Sequence, residues 1–373
     1  MRIVRAELQK LAGAPWVLGF AVLCVLLNGA LVATVSSNDS YDDGVGRAAD
    51  QAGTQIDDRF VATAGPLSSS LKADVASLTD SFSYDYPALG ERYVAAIHAD
   101  GIVADALRSK YALAASTAVD LSNQQAAKSL YLGADSTGFH RQIFGTVLGA
   151  AAMESFIFAT LFGIQSFGIE HARRTNSILF SSRVGRRLAG AKVLAAAILT
   201  IAASVLLTTT AWLAIGLRFP VIATSSSFVN SGFNQLYDPI SSWRPFLTWD
   251  AMTLPVYAAA FAIVVTGLAL AFSFGASALA MVVREPYIAF GVLLLADVCL
   301  FAAPFFFPSA SLAAYVTSLS PMWLWANSNS WFTDGGYFAI WPHYETIGTI
   351  AAGLIAVILA LAACTRFSRK DIA

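Results

Sequence analysis

Residues 170–192 read EHARRTNSILFSSRVGRRLAGAK, from Glu170 to Lys192. The stretch carries six cations (Arg173, Arg174, Arg183, Arg186, Arg187 and Lys192) and one carboxylate, Glu170. Long apolar runs flank it, at about 143–169 and 193–217. Charge at this density does not lie in hydrocarbon, so the two runs read as separate membrane spans joined through water. Its positive character places the connection on the cytoplasmic side.

Working outward, four more runs reach the roughly 20 apolar residues a span requires. They lie at about 14–35, 253–283, 287–307 and 346–364, which makes six spans in all. Composition agrees: 57% of the 373 residues are hydrophobic and only 13% are charged, where a soluble domain carries about 25%. The expectation is an all-α membrane protein. With both ends inside, the cytoplasmic parts hold thirteen cations: Arg2, Arg5, Lys10, the six of the basic segment, Arg284, Arg366, Arg369 and Lys370. The short outside connections, about 218–252 and 308–345, hold only Arg218 and Arg244. The reverse orientation inverts this bias and is rejected.

Three regions flank or interrupt the spans. Residues 1–35 combine the first span with a preceding amphipathic stretch. Val4, Leu8 and Leu11 share one helical face while Arg2, Arg5 and Lys10 lie elsewhere, the pattern of an interfacial helix. The following run of 22 residues exceeds the usual 7–15-residue signal core, so an uncleaved span is preferred to a signal peptide. Residues 36–142 hold fourteen of the 24 acidic residues. Leu67, Leu71, Val75 and Leu78, then Val103, Leu107 and Tyr111, recur at helical spacing there, which predicts a helical extracytoplasmic domain. Gly65-Pro66 and Tyr86-Pro87 interrupt it. The remainder, 143–373, is a five-span transmembrane domain. Its 315–345 stretch is rich in Trp and Tyr and broken by Pro321, Pro342 and Gly335-Gly336. That predicts a short interfacial or re-entrant helical element.

The sequence lacks the signatures of soluble enzymes. There is no GxxxxGK[ST], no GxSxG and no HExxH, so no catalytic residue, cofactor or metal site is assigned and no ATP hydrolysis is expected from this chain. Cys24, Cys299 and Cys364 lie far apart in apolar runs and read as packed thiols. Two carboxylates sit deep in spans, Glu154 in the second and Asp297 in the fifth. At about 2.5–3.5 kcal/mol each on insertion scales, they must face protein or water. They line a transport path or form a proton site, with Gln165 on the face of Glu154, or they are structural, as an interhelical hydrogen bond or a protonated acid. Gly145, Gly149 and Ala152 form a small-residue stripe for close helix contact. At 100° per residue Glu154 falls opposite Gly145, which predicts a polar cavity on that side.

The basic segment admits two readings. Cations alone orient the protein. Orientation does not account for Ile178, Leu179 and Phe180 between them, next to Thr175; these suit a short amphipathic helix docking into a partner's groove. With Glu170, Thr175, Ile178-Leu179, Ser181-Ser182, Arg183, Gly185-Arg186 and Lys192 in this order, the chain resembles the permease subunits of type-2 ABC exporters. The N-terminal amphipathic stretch, six spans and the basic end Phe367-Ser368-Arg369-Lys370 resemble them too. The resemblance implies a multi-pass permease in a prokaryotic plasma membrane with both termini cytoplasmic. It would pair with a second permease copy or a paralogue and with cytoplasmic ABC ATPase subunits that carry ATP and magnesium; nucleic acid is not implied. Cargo would be a peptide, drug-like or lipid-like molecule. The alternatives are a proton-coupled secondary transporter using Glu154 and Asp297, and a non-transporting sensor or immunity protein.

Overall fold

The computed structural model describes residues 2–35, 51–52, 55–63, 84–124, 126–129, 136–172, 188–219, 226–232, 234–283 and 285–369. Among them nine helices exceed eight residues. They are α1 (Arg2–Ala12), α2 (Pro15–Thr34), α3 (Tyr86–Ala96), α4 (Gly101–Asn123), α5 (Leu148–Ala172), α6 (Leu188–Arg218), α7 (Leu254–Val282), α8 (Pro286–Ala302) and α9 (Tyr344–Arg369). Six are long and apolar enough to cross a membrane: α2, α5 with its lead-in from Gly138, α6, α7, α8 with its extension to Phe306, and α9. They coincide with the six runs read from the sequence, as expected of a multi-pass membrane protein.

The spans alternate in direction. The end of α5, the start of α6 and the ends of α7 and α9 meet in one cluster of Phe167, Ala189, Val193, Met281 and Ala363, with Phe367 packed on it. The start of α8 joins them, where Pro286 lies against Gly168. This is called the loop pole, because α5 and α6 end there on either side of residues 173–187. The opposite end, the cap pole, carries α3, α4 and the connections that precede α7 and α9.

Helix α5 is the hub, packed against both α6 and α7. Between membrane helices the driving force is close packing rather than escape from water. At Gly163 a β-carbon would come within 2.6 Å of the Ser273 carbonyl oxygen, so only glycine permits this α5–α7 approach. Phe156, Phe158 and Phe162 fill the space on either side. Helix α8 is peripheral, with Ala289 its one buried residue. Helix α1 turns Leu11 fully inward and Val4 and Leu8 partly inward, leaving Arg2 and Arg5 exposed. Gly13 and Ala14 break the chain before Pro15 opens α2, a position where proline's missing N–H is no loss.

The cap is built from three stretches distant in sequence. Tyr86, Leu89 and Tyr93 of α3 and Val103, Leu107 and Tyr111 of α4 share a core with Leu247, Trp249, Tyr315 and Ile340. The helical spacing of Val103, Leu107 and Tyr111 is therefore realised. Pro87 starts α3 rather than ending a helix, with Asp85 Oδ1 accepting the Ala88 N–H at 2.9 Å. The Leu67–Leu78 pattern lies outside the described residues. The 315–345 stretch folds as short helical turns, Leu312–Thr317 and Pro321–Ala326 among them. Its Trp331 is fully buried against Phe261, ring centroids 4.6 Å apart.

Two expectations change. An antiparallel hairpin, β1 (Gln235–Asp238) paired with β2 (Ser242–Pro245), interrupts the otherwise helical chain. Two of the three residues of the small-residue stripe, Gly145 and Gly149, face a turn rather than another span. A β-carbon at Gly145 would lie 3.3 Å from Asn329 and one at Gly149 3.6 Å from Ser328 Oγ. The two glycines thus seat the turn at 328–330. Residues Arg141–Val147 are π-helical, so a count of 100° per residue from Gly145 to Glu154 does not hold across them.

Candidate functional site

At the loop pole the two residues that bracket the basic segment meet. Lys192 donates to Glu170 Oε1 at 2.6 Å, to Glu7 Oε2 of α1 at 3.1 Å and to the Ser166 carbonyl at 2.8 Å. Lys10 of α1 also binds Glu170 Oε1 and lies 3.5 Å from Glu7. Lys192 is 0% exposed, and the Phe167 ring lies 5.8 Å from its ammonium. Two ammonium groups and two carboxylates thus close one network over α1, α5 and α6.

Local electrostatics oppose this arrangement. Glu170 sits at the carbonyl end of α5 and Lys192 in the first turns of α6, each on the wrong side of its own helix dipole. The pair compensates across the gap. The charges therefore serve the tertiary joint rather than either helix, and they hold both roots of the basic segment at a fixed distance. Arg173, Arg174, Thr175, Ile178, Leu179, Phe180, Arg183, Arg186 and Arg187 lie outside the described residues. Of the sequence-predicted segment, the structure places Glu170 and Lys192.

The membrane-depth candidates occupy different places. Glu154 Oε2 accepts from Asn28 Nδ2 of α2 at 2.7 Å, with both side chains buried. That is the interhelical hydrogen bond, one of the two readings of this residue. Gln165 is partly buried, and no hydrogen bond joins it to Glu154 among the described residues. Asp297 is partly buried on α8 and faces a cavity between α5, α7 and α8.

A second ionic group holds the cap. Asp334 Oδ1 accepts from Arg244 at 2.6 Å and its Oδ2 from the Tyr111 hydroxyl at 2.7 Å. Lys110 donates to the carbonyls of Asp334, Gly336 and Ala339 at 2.9, 2.6 and 2.6 Å, which uses all three ammonium hydrogens. All three charged groups are buried. Burial by itself would raise the Asp334 carboxyl, but the Arg244 guanidinium and Lys110 ammonium override it and hold it below the ordinary carboxylate range. Burial pushes Lys110 down to about 7, with Asp334 pulling it back up. The group ties α4 to β2 and to the turn before α9.

In the sequence Lys10 and Arg244 stand only as topology cations, Lys192 also as a motif position, and Glu7, Asn28, Lys110 and Asp334 carry no assigned role. Two signals were available. Asn28 is a strongly polar side chain in the middle of an apolar run. Lys110 lies seven residues after Val103 and three after Leu107, on the stripe that α4 buries. Among the described residues no three His, Cys, Asp or Glu group to hold a metal ion. No protein-family model, curated protein or solved structure matches the chain.

Proposed function

We propose that the chain is the permease subunit of an ATP-driven exporter of the ABC type, a half-transporter that works with a second permease and two cytoplasmic ATPase subunits. The observation that carries this reading is the network of Glu7, Lys10, Glu170 and Lys192, built on the buried Glu170–Lys192 pair. A segment that merely orients a protein needs cations and nothing more. Here the roots of the basic segment are clamped to each other and to a helix that precedes the first span. A force applied to residues 173–187 would move α1, α5 and α6 together, as a coupling segment requires. In this reading the loop pole is cytoplasmic, α1 lies in the membrane interface, and the cap faces outward over a plasma membrane. Cap and spans share buried contacts through Trp331, Tyr257 and Phe261, which favours a moving part of a transporter over a separate sensor domain.

The test is co-purification with the ATPase and stimulation of its activity. The double variant Arg183→Glu, Leu179→Asp is expected to abolish both while the chain still inserts and folds. Unchanged association and coupling would overturn the proposal. So would cargo flux by the purified subunit alone under an ion gradient.

A further inference from the structure

A cavity of about 210 Å³, open along one side, runs between α5, α7, α8 and the Pro321–Ala326 turn. Its chemistry comes from Phe156 and Thr160 of α5, Phe272 of α7, Asp297 and Phe301 of α8, and Trp325. Among the described residues Asp297 is the sole charged side chain in the lining. It lies near the middle of the Pro286–Phe306 span. No described residue gives it a hydrogen bond or an ion pair. Glu154, at similar depth, has Asn28; Asp297 has no such answer. A carboxylate in a span carries a heavy insertion cost, which a chain retains where something offsets it.

The surroundings narrow what offsets it. The walls are apolar and aromatic, so a hydrated inorganic ion would lose its water shell to one carboxylate and one threonine hydroxyl. A hydrocarbon tail would match the walls and leave the carboxylate unmet. An organic cation does both, since aromatic faces attract a desolvated ammonium and the rest of the molecule fills the apolar space. Access is lateral: α8 buries little, and Leu294 at the mouth is 54% exposed, so a membrane-dissolved molecule enters from the bilayer.

We propose that this groove is a binding site for lipophilic organic cations, with the positive nitrogen against Asp297 and the apolar body against Phe156, Phe272 and Trp325. The site stands on its own geometry and does not depend on coupling to an ATPase.

The test is equilibrium dialysis of radiolabelled benzyltrimethylammonium against the purified full-length chain in neutral detergent, with its uncharged isostere neopentylbenzene as competitor. Saturable binding is expected. Asp297→Asn is expected to weaken it by at least about tenfold, about 1.4 kcal/mol, while the neutral competitor's apparent affinity is unchanged. Leu294→Trp, which alters only the exposed mouth, is expected to exclude both molecules. Absence of saturable binding, equal affinity in Asp297→Asn, or unchanged binding in Leu294→Trp would each overturn the assignment. Should Asp297→Asn fail to fold, Leu294→Trp decides alone.

Discussion

Asp334→Asn isolates what holds the cap. The substitution keeps the shape and removes the anion that binds Arg244 directly and lies beside Lys110, both buried, while buried Asp238 still acts on Lys110 more weakly. The Tyr111 hydroxyl still finds an acceptor, so the loss is chiefly charge. Removing one partner of a buried ion pair costs about 3–5 kcal/mol, because the other charge is stranded. If the cap opens as a unit, its open population rises by roughly 10²–10⁴-fold, at 1.36 kcal/mol per decade. The assay is native-state proteolysis in micelles, reading cleavage within α3 and α4 while the spans stay protected. Arg244→Met is expected to cost less, because Asp334 retains Lys110 beside it and the Tyr111 hydrogen bond. The pH dependence follows from the same pair. Asp334 is lowered below its ordinary value, so its contribution is present above about 3.9 and lost as pH falls through the folded value. Lys110 is lowered too, to about 7; the unfolded chain then binds more protons above that point, so stability rises further towards alkaline pH. Asp334→Asn should flatten the acid limb and, by removing the pull that holds Lys110 up, start the rise towards alkaline pH earlier. Cleavage within threefold of wild type, or an unchanged acid limb, would refute the argument.

At the loop pole, Glu170→Gln and Lys192→Met are each expected to destabilise by about 3 kcal/mol, and the double variant by clearly less than the sum. Additive losses in denaturant unfolding would show that the network is not a unit. Glu154→Gln keeps an acceptor for Asn28 and should unfold like wild type, whereas Glu154→Leu strands that amide at about 1–2 kcal/mol. Transport lost in Glu154→Gln with stability intact would instead mark a residue of the pathway.

The spans were legible because the bilayer imposes one strong rule: about 20 apolar residues, with charge kept to the ends. Periodicity likewise exposed the buried face of α4. What escaped was tertiary or too short. Lys110 and Asp334 are 224 positions apart, and no local pattern announces such a pair. The strands β1 and β2 have four residues each, less than a period-2 signal needs. The π-helical turn at Arg141–Val147 has no composition of its own; it was missed, and the facing of Gly145 and Gly149 with it. The basic segment gave up Glu170 and Lys192 as a motif, but only the fold shows that α1 supplies the matching Glu7 and Lys10.

The same π-helical lead-in bears on how the poles communicate. Helix α5 begins under the cap and ends in the loop-pole network; at the cap end it and its lead-in are tied to the turns before α9. Trp325 Nε1 donates to the Gly149 carbonyl at 2.8 Å, Ser328 Oγ to Phe144 at 3.4 Å, and the Asn329 carbonyl meets His140 Nε2 at 3.2 Å. Of these three ties, one uses a carbonyl of the π-helical turn, that of Phe144, a turn that leaves carbonyls out of the regular ladder. A displacement of Glu170 therefore reaches residues 325–329 along one helix. Trp325→Phe preserves most of the ring and deletes one donor, at about 1 kcal/mol of stability. If the chain is the exporter permease proposed above, export should fall while hydrolysis by the partner ATPase continues, because the rod still moves but one of its ties to the cap is gone. Hydrolysis and export falling in parallel would place Trp325 in folding alone and leave α5 without this role.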